Sequence, residues 1–266
     1  MSIKEGLRKK LERREKAYET EQLMKEKRSE EYEALEEVFD KPTLMTIYDL
    51  MNDGWIDEIY GAVKAGKESK LYWGKHPDGS ELAIKIYLTV TAEFKKGMLT
   101  YISGDPRFEH VRRSPRNLIY LWARKEFRNL TDAHRAKVRV PKPYTVRNNV
   151  LLMEFIGKNG VSAPLLREVE LSNPEKIYRQ LLLYIKRLYM KAKLVHGDLS
   201  EYNIMIWKNK PVIFDVSQAV SIEHPNATRF LWRDIENINR YFKRLDVEIQ
   251  SSEEIFRRIT GAAALR

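Results

Sequence analysis

Apolar and polar residues between Trp55 and Tyr87 alternate and turn as in an antiparallel sheet, through IDEIYGAV, KAGKESK, LYWGKH and ELAIKIYL. Pro77-Asp78-Gly79-Ser80 predicts a hairpin turn between Leu71 to His76 and Glu81 to Leu88. Ahead of it, Gly61 to Ser69 predicts a glycine-containing turn whose backbone amides can lie over phosphates. Val138 to Ile156 predicts a second hairpin around Asn148-Asn149. Its later run, VLLMEFI, ends at Gly157, which suggests a hinge that leaves backbone groups of Glu154 and Ile156 free for a purine edge.

Helical spacing predicts an amphipathic helix over Asp40 to Asn52, opened by Asp40 or Lys41 with Pro42 in its first turn. Asn117 to Leu130 and Tyr178 to Ala192 predict two more. Ile3 to Phe39 predicts a long charged helix with apolar residues too sparse for a coiled coil. From Thr89 to Arg116 regular patterning lapses, and basic residues interleave with Phe94, Tyr101, Phe108 and His110. The implied organisation is a charged extension over 1–39, a sheet-rich unit over 40–156 with a basic insert at about 89–116, and a helical unit over 157–266.

Composition narrows the class. The 266 residues are 43% hydrophobic, enough for a sizeable core. Absence of cysteine excludes disulfides and thiolate metal sites and suits a reducing cytoplasm. With no apolar run of about eighteen residues and no apolar centre in Met1 to Arg14, a soluble cytoplasmic protein is expected. The net charge of +10 is concentrated, since Lys95 to Arg147 holds 14 Lys and Arg against 4 Asp and Glu. Such a face favours a polyanion such as RNA; a merely solvated basic surface fits equally well.

The chemistry gathers in LVHGDLSEYNIMIWKNKPVIFDVSQ, Leu194 to Gln218. Asp198 is a carboxylate in a glycine-marked turn, Asn203 an amide five residues on, and Asp215 a second carboxylate after an apolar run. A proton acceptor beside oxygens that hold hard cations is what phosphoryl transfer from a nucleotide requires. Lys85, inside LAIKIY, points either to solvent or into a cleft where its ammonium grips phosphate. Glu126 is either its tether or a surface carboxylate.

Taken in order, the Lys85 strand, VLLMEFI, HGDLSEYN and FDVSQ resemble the protein-kinase fold, and most closely the first branch of the RIO family of atypical kinases. FDKPTLMTIYDLMNDGWIDEIYGAVKAGKES, SGDPRF, WARKEFRNL, GVSAPLL and DVSQAVSIEHPNATRFLWRDIENINRYF carry the likeness, which spans roughly Val38 to Phe242. The resemblance implies an α+β, two-lobed fold with an antiparallel N-lobe sheet and a reduced helical C-lobe. It implies a serine/threonine kinase or ATPase using ATP and Mg2+, with Mn2+ able to substitute, that phosphorylates itself and acts with the maturing small ribosomal subunit and its rRNA.

By motif, Asp198 is then the catalytic base, Asn203 and Asp215 hold metal, and Lys85 contacts phosphate. Ala65, Gly66, Lys67, Glu68 and Ser69 cover the triphosphate, while Met153, Glu154 and Ile156 border adenine. Asp215 can itself accept phosphate as an aspartyl intermediate. The sequence departs from ordinary protein kinases: Gly197 stands where they usually place arginine, DVS replaces DFG, and no APE follows. With little chain after Asp215 for a peptide platform, ATP hydrolysis and self-phosphorylation compete with phosphorylation of a separate protein. A small-molecule kinase of the aminoglycoside or choline type and a nucleotide-switched RNA-binding scaffold remain as alternatives.

Overall fold

In the structure, a computed structural model describing Leu35 and residues 38–88, 92–108 and 114–261, the first half joins one five-stranded sheet to helices, and the second half is helical with short strand pairs. The expected long helix over Ile3 to Phe39 lies almost wholly outside the described residues. Helix α1, Lys41–Asn52, starts where the Asp40 side chain accepts the Thr43 N–H at 3.2 Å, with proline in its first turn. Strands β1 (Glu58–Ala65), β2 (Ser69–Lys75) and β3 (Glu81–Tyr87) follow. With β4 (Pro143–Arg147) and β5 (Val150–Glu154) they form one antiparallel sheet in the order β1-β2-β3-β5-β4.

The glycine-containing turn is shorter than the sequence suggested. β1 runs through Gly61 to Ala65, with register shifts, and only Gly66 to Glu68 reverse the chain. Period two decides what each face of β3 does. Leu82, Ile84 and Ile86 join Val150 and Leu152 of β5 in a buried cluster with Ile47 and Leu50 of α1. Ala83, Lys85 and Tyr87 therefore take the opposite face, where a helix packs as well. Neither face of β3 is left to water, so Lys85 has no solvent face on which to rest.

That second covering is α3, Pro115–Arg135, capped by Ser114 accepting the Asn117 N–H at 3.3 Å. It is longer at both ends than Asn117 to Leu130. The stretch expected to be irregular contains α2, Ala92–Ile102, and a 3-10 turn, Pro106–Phe108. Met98 and Ile102 of α2 and Phe108 of the turn bury against Leu118, Leu121 and Trp122 of α3.

After β5 the chain crosses at Phe155 and Ile156 into a small hairpin, β6 (Gly157–Lys158) and β7 (Val161–Ser162). Trp73 of β2 stacks on Tyr60 with ring centroids 4.1 Å apart and lies against Gly160 at the tip of this hairpin. Gly160 has φ +75°, and a Cβ there would come within 2.8 Å of the indole. The second half is built on α4 (Pro174–Arg187), α5 (Ala227–Lys243) and α6 (Ser252–Thr260). The predicted Tyr178 to Ala192 helix starts earlier and gives way at Leu188 to a π-helical turn ending at Ala192. Short strands β8 (Leu194–Val195), β9 (Ile204–Trp207), β10 (Lys210–Ile213) and β11 (Val220–Ser221) complete it. An α+β, two-lobed arrangement with an antiparallel N-lobe sheet is what the sequence implied. Among the described residues no helix is long and apolar enough to cross a membrane.

Candidate active site

Two short hairpins assemble the second-half residues of the site. β9 pairs with β10 in the register Ile204 with Ile213, so Asn203 and Phe214 continue side by side and the Phe214 N–H donates to the Asn203 carbonyl at 3.0 Å. Asn203 and Asp215 are thus brought together although a whole hairpin separates them in sequence. β8 pairs with β11 through Val195 and Val220, which lays His196-Gly197-Asp198 beside the turn after Asp215. Gly197 has φ +82° and would place a Cβ only 3.3 Å from the Gln218 carbonyl, so a side chain is doubly unwelcome there.

Asn203 donates from Nδ2 to the Asp198 carbonyl at 2.7 Å and to its carboxylate at 3.3 Å. His196 is buried; its Nδ1 accepts the Asp198 N–H at 3.3 Å, and its Nε2 lies 3.3 Å from the Phe214 carbonyl. Burial holds the imidazole below its ordinary range, against Asp198. A neutral ring protonated at Nε2 satisfies both contacts and ties the Asp198 loop to the Asp215 strand.

Across the cleft, Lys85 Nζ reaches Glu126 Oε2 at 2.7 Å and Oε1 at 3.0 Å, and Asp215 Oδ1 at 3.1 Å. The Glu126 tether that spacing alone left open is therefore formed. Burial alone would lower the Lys85 ammonium, but Asp215 and then Glu126 outweigh it and hold the pKa above its usual range. Lys85 in return holds Asp215 below the usual carboxylate range against burial, helped by the Ser217 hydroxyl at 3.1 Å. Burial pushes Glu126 up to about 7, since the attraction of Lys85 is offset in part by the charge of Asp215. Glu126 is the member of this trio whose charge is least secure, while Lys85 and Asp215 hold each other ionised.

A cavity of about 330 Å3 opens over these groups. Leu71, Met153 and Phe214 give it apolar walls, and Lys64, Gly66, Lys67, Glu68 and Ser69 line it beside Lys85, Glu126 and Asp215. Such a pocket takes a flat apolar ring at one end and an anion at the other. Ala65 and Ile156 are not in its lining, and neither are Asp198 and Asn203. Glu68 is pushed up by burial and then by Asp215, so the turn over the cavity carries an acid as well as Lys64 and Lys67.

The expected free backbone groups at the hinge are only partly free. The Glu154 N–H donates to the Lys142 carbonyl at 2.8 Å, and the Ile156 carbonyl accepts the Ala163 N–H at 2.8 Å. The Ile156 N–H has no partner among the described residues. The Glu154 carboxylate faces away, paired with Arg139 at 2.7 Å.

Asn203, with its amide nitrogen committed, keeps Oδ1 as a ligand, and Asp215 Oδ2 has no partner among the described residues. Carboxylate and amide oxygens are the donors that hard cations take. Among the described residues no cluster of three His, Cys, Asp or Glu stands ready for a metal, so a cation here would complete its shell with phosphates and water, as magnesium does.

Sequence reasoning missed Asp234 on α5. Its carboxylate is 2% exposed and accepts the Gly197 and Leu199 N–H groups, both at 2.8 Å, clamping the Asp198 loop from below. Burial pushes it up to about 7 against those two donors. Arg233 beside it donates to the Gly197 carbonyl. The available signal was an acid in the apolar phase of a helix, next to Ile235 and three residues after Leu231.

Comparison with known proteins bears on this geometry. The RIO domain family matches residues 70–255. The RIO-type serine/threonine-protein kinase Rio1 of Haloferax volcanii is 40% identical over 90% of this chain and 81% of its own length. That of Methanocaldococcus jannaschii is 39% identical over 93% and 84%. Human serine/threonine-protein kinase RIO1 is 39% identical over 85% of this chain, which spans only 40% of the human protein. The Rio2 kinase-ADP/Mg2+-phosphoaspartate complex from Chaetomium thermophilum superposes with a TM-score of 0.62 over 83% of this chain and 67% of that one, at 21% identity, a likeness of fold.

Proposed function

Because the chain belongs to the RIO kinase family and is an ATP-dependent serine/threonine protein kinase, we propose that it spends magnesium ATP at the Lys85 and Asp215 site with Asp198 as general base. The observation that carries this reading is the Lys85 ammonium held between Glu126 and Asp215 at the base of the cavity. Adenine packs on Leu71, Met153 and Phe214 and takes the Ile156 N–H. Lys64, Lys67 and the amides of the Gly66 to Ser69 turn receive the triphosphate. Asn203 Oδ1 and Asp215 would hold magnesium, which when bound would neutralise phosphate charge.

The acceptor decides the outcome. Toward a serine or threonine hydroxyl, Asp198 takes the proton as the new oxygen to phosphorus bond forms and ADP leaves. Without one, an Asp215 oxygen forms that bond, ADP departs, and water hydrolyses the acyl phosphate, so that the cycle is net ATPase. The Rio2 structure of the same fold was captured with phosphoaspartate, which supports this second branch here.

We extend the reading to the maturing small ribosomal subunit and its rRNA in the cytoplasm. Arg116, Arg139 and Arg147 pair with carboxylates at the surface, while Arg107 and Lys125 turn inward, so part of the basic excess is already answered within the chain. Exposed Arg124, Arg135, Lys137 and Lys142 remain as support for an RNA contact. Incubation with gamma-labelled ATP and magnesium, with and without purified small subunits, tests all of this. Hydroxylamine-labile label on the protein, lost in Asp215→Asn, and faster turnover with subunits are expected. Undiminished turnover by Asp215→Asn overturns the assignment of Asp215, and indifference to subunits overturns the ribosomal role.

A further inference from the structure

The turn that carries Asp215 is held by side chains far from the cavity. Asp215 itself has φ +55° and ψ +55°, a left-handed conformation that a residue with a side chain keeps only when its surroundings impose it. The 3-10 turn after it, Val216–Gln218, directs its carbonyls into α3. Lys125 Nζ donates to the Ser217 carbonyl at 2.7 Å and also to that of Ala219. Asn129 Nδ2 donates to the Val216 carbonyl at 2.8 Å and to that of Ala219 at 3.0 Å. Lys125 and Asn129, one helical turn apart, thus grip three carbonyls, and both are fully buried.

A second layer orients Asn129. Its Oδ1 accepts from Arg107 Nη1 at 2.9 Å. Arg107 is gripped by Asp105, with Nε on Oδ1 at 2.9 Å and Nη2 on Oδ2 at 2.7 Å. Asp105, fully buried, also accepts the Ser221 N–H beyond the turn at 3.4 Å. Burial and then Arg107 hold the Lys125 amino group well below its ordinary range, and a buried amine bonded to two carbonyls is an expensive way to fill a helix interface, where an aliphatic side chain would pack without desolvating a polar group. Its benefit lies in fixing the main chain to which it bonds.

We propose that Lys125, Asn129, Arg107 and Asp105 are positioning residues that set the orientation of the Asp215 carboxylate toward metal and phosphate. The SGDPRF segment is in this reading a structural part of the active site, although it lies outside the cavity. The inference rests on the role of Asp215 proposed above. An error of about 1 Å in a catalytic group can cost about a hundredfold in rate, so small losses of restraint are readable in turnover.

Lys125→Met removes the hydrogen-bonding amino group at similar length. Arg107→Lys keeps a cation against Asp105 but gives up the fork that reaches Asn129. Turnover per folded molecule, KM for ATP and the magnesium concentration for half-maximal rate are measured beside Ile47→Val, a core change under α1 that lowers the melting temperature alone. Lys125→Met should lose about tenfold or more in kcat and Arg107→Lys about threefold. Both should need more magnesium, while KM for ATP moves less than twofold. Unchanged kcat and magnesium dependence in Arg107→Lys, folded by circular dichroism, overturn the proposal whether or not Lys125→Met folds. Asp215→Asn in the same assay separates the two readings: if it stays active, the role of Asp215 has failed, and if it alone is inactive, only the positioning network has.

Discussion

Lys85 and Glu126 lie 41 residues apart in sequence, yet Nζ and Oε2 meet at 2.7 Å, and Glu126 is 1% exposed. Removing the carboxylate leaves a buried ammonium with only the more exposed Asp215 to answer it. Glu126→Ala should destabilise the fold by about 3 kcal/mol, read as a lower urea midpoint. Glu126→Gln keeps the volume and should mainly raise KM for ATP, because Lys85 then swings wholly to Asp215 and away from phosphate. Unaltered nucleotide affinity in Glu126→Gln would sink the tether.

Asp234 gives a pH dependence whose sign is fixed by its raised pKa of about 7. Its ordinary value is 3.8, so charging it costs more in the fold than in the unfolded chain. Its contribution to stability is greatest below the ordinary value and declines as pH rises towards 7. The difference in unfolding free energy between wild type and Asp234→Asn should therefore shift against wild type over that interval and level off above it. Turnover should move the opposite way, since only the carboxylate accepts from both Gly197 and Leu199.

Asp215→Asn should be inert in turnover and labelling yet nearly as stable as wild type. Asparagine tolerates the left-handed conformation of this position better than most residues. A melting temperature within a few degrees of wild type, together with absent label, would separate chemistry from collapse.

Gly157 marks the crossing between the lobes. A Cβ there would strike the Val161 carbonyl and approach the Phe155 ring to 2.7 Å. Gly157→Ala should cost about 2 kcal/mol and weaken nucleotide binding by displacing the neighbouring Ile156 N–H, measurable by thermal melting and nucleotide titration. Wild-type values in both would mean that the hinge does not contribute.

The parts legible in the sequence were those with local signatures. Period two gave the β2-β3 and β4-β5 hairpins, and Asp40 announced the start of α1. HGDLSEYN and FDVSQ marked the residues that β8 to β11 bring together. Helix α2 escaped because Met98, Tyr101 and Ile102, although at helical spacing, make only a short apolar stripe, and Lys95, Lys96 and Gly97 precede it. Lys125, Asn129 and Asp234 escaped for a common reason: each is a polar residue in the buried phase of an amphipathic helix, and its partners are main-chain groups that carry no sequence mark. The count of basic residues could not say which of them stay exposed, as Arg124 and Lys137 do, and which are buried, as Lys125 is.

Trp73 bridges the two halves of the molecule, rooted in β2 and resting on Gly160 beyond the hinge, with its indole N–H buried and unpartnered among the described residues. A rocking of the sheet over the helical half must slide the ring across that glycine and wet the nitrogen. Of the five tryptophans in the sequence, this one thereby gauges closure: a variant keeping only Trp73 would show by its emission whether ATP draws the halves together or finds them already closed.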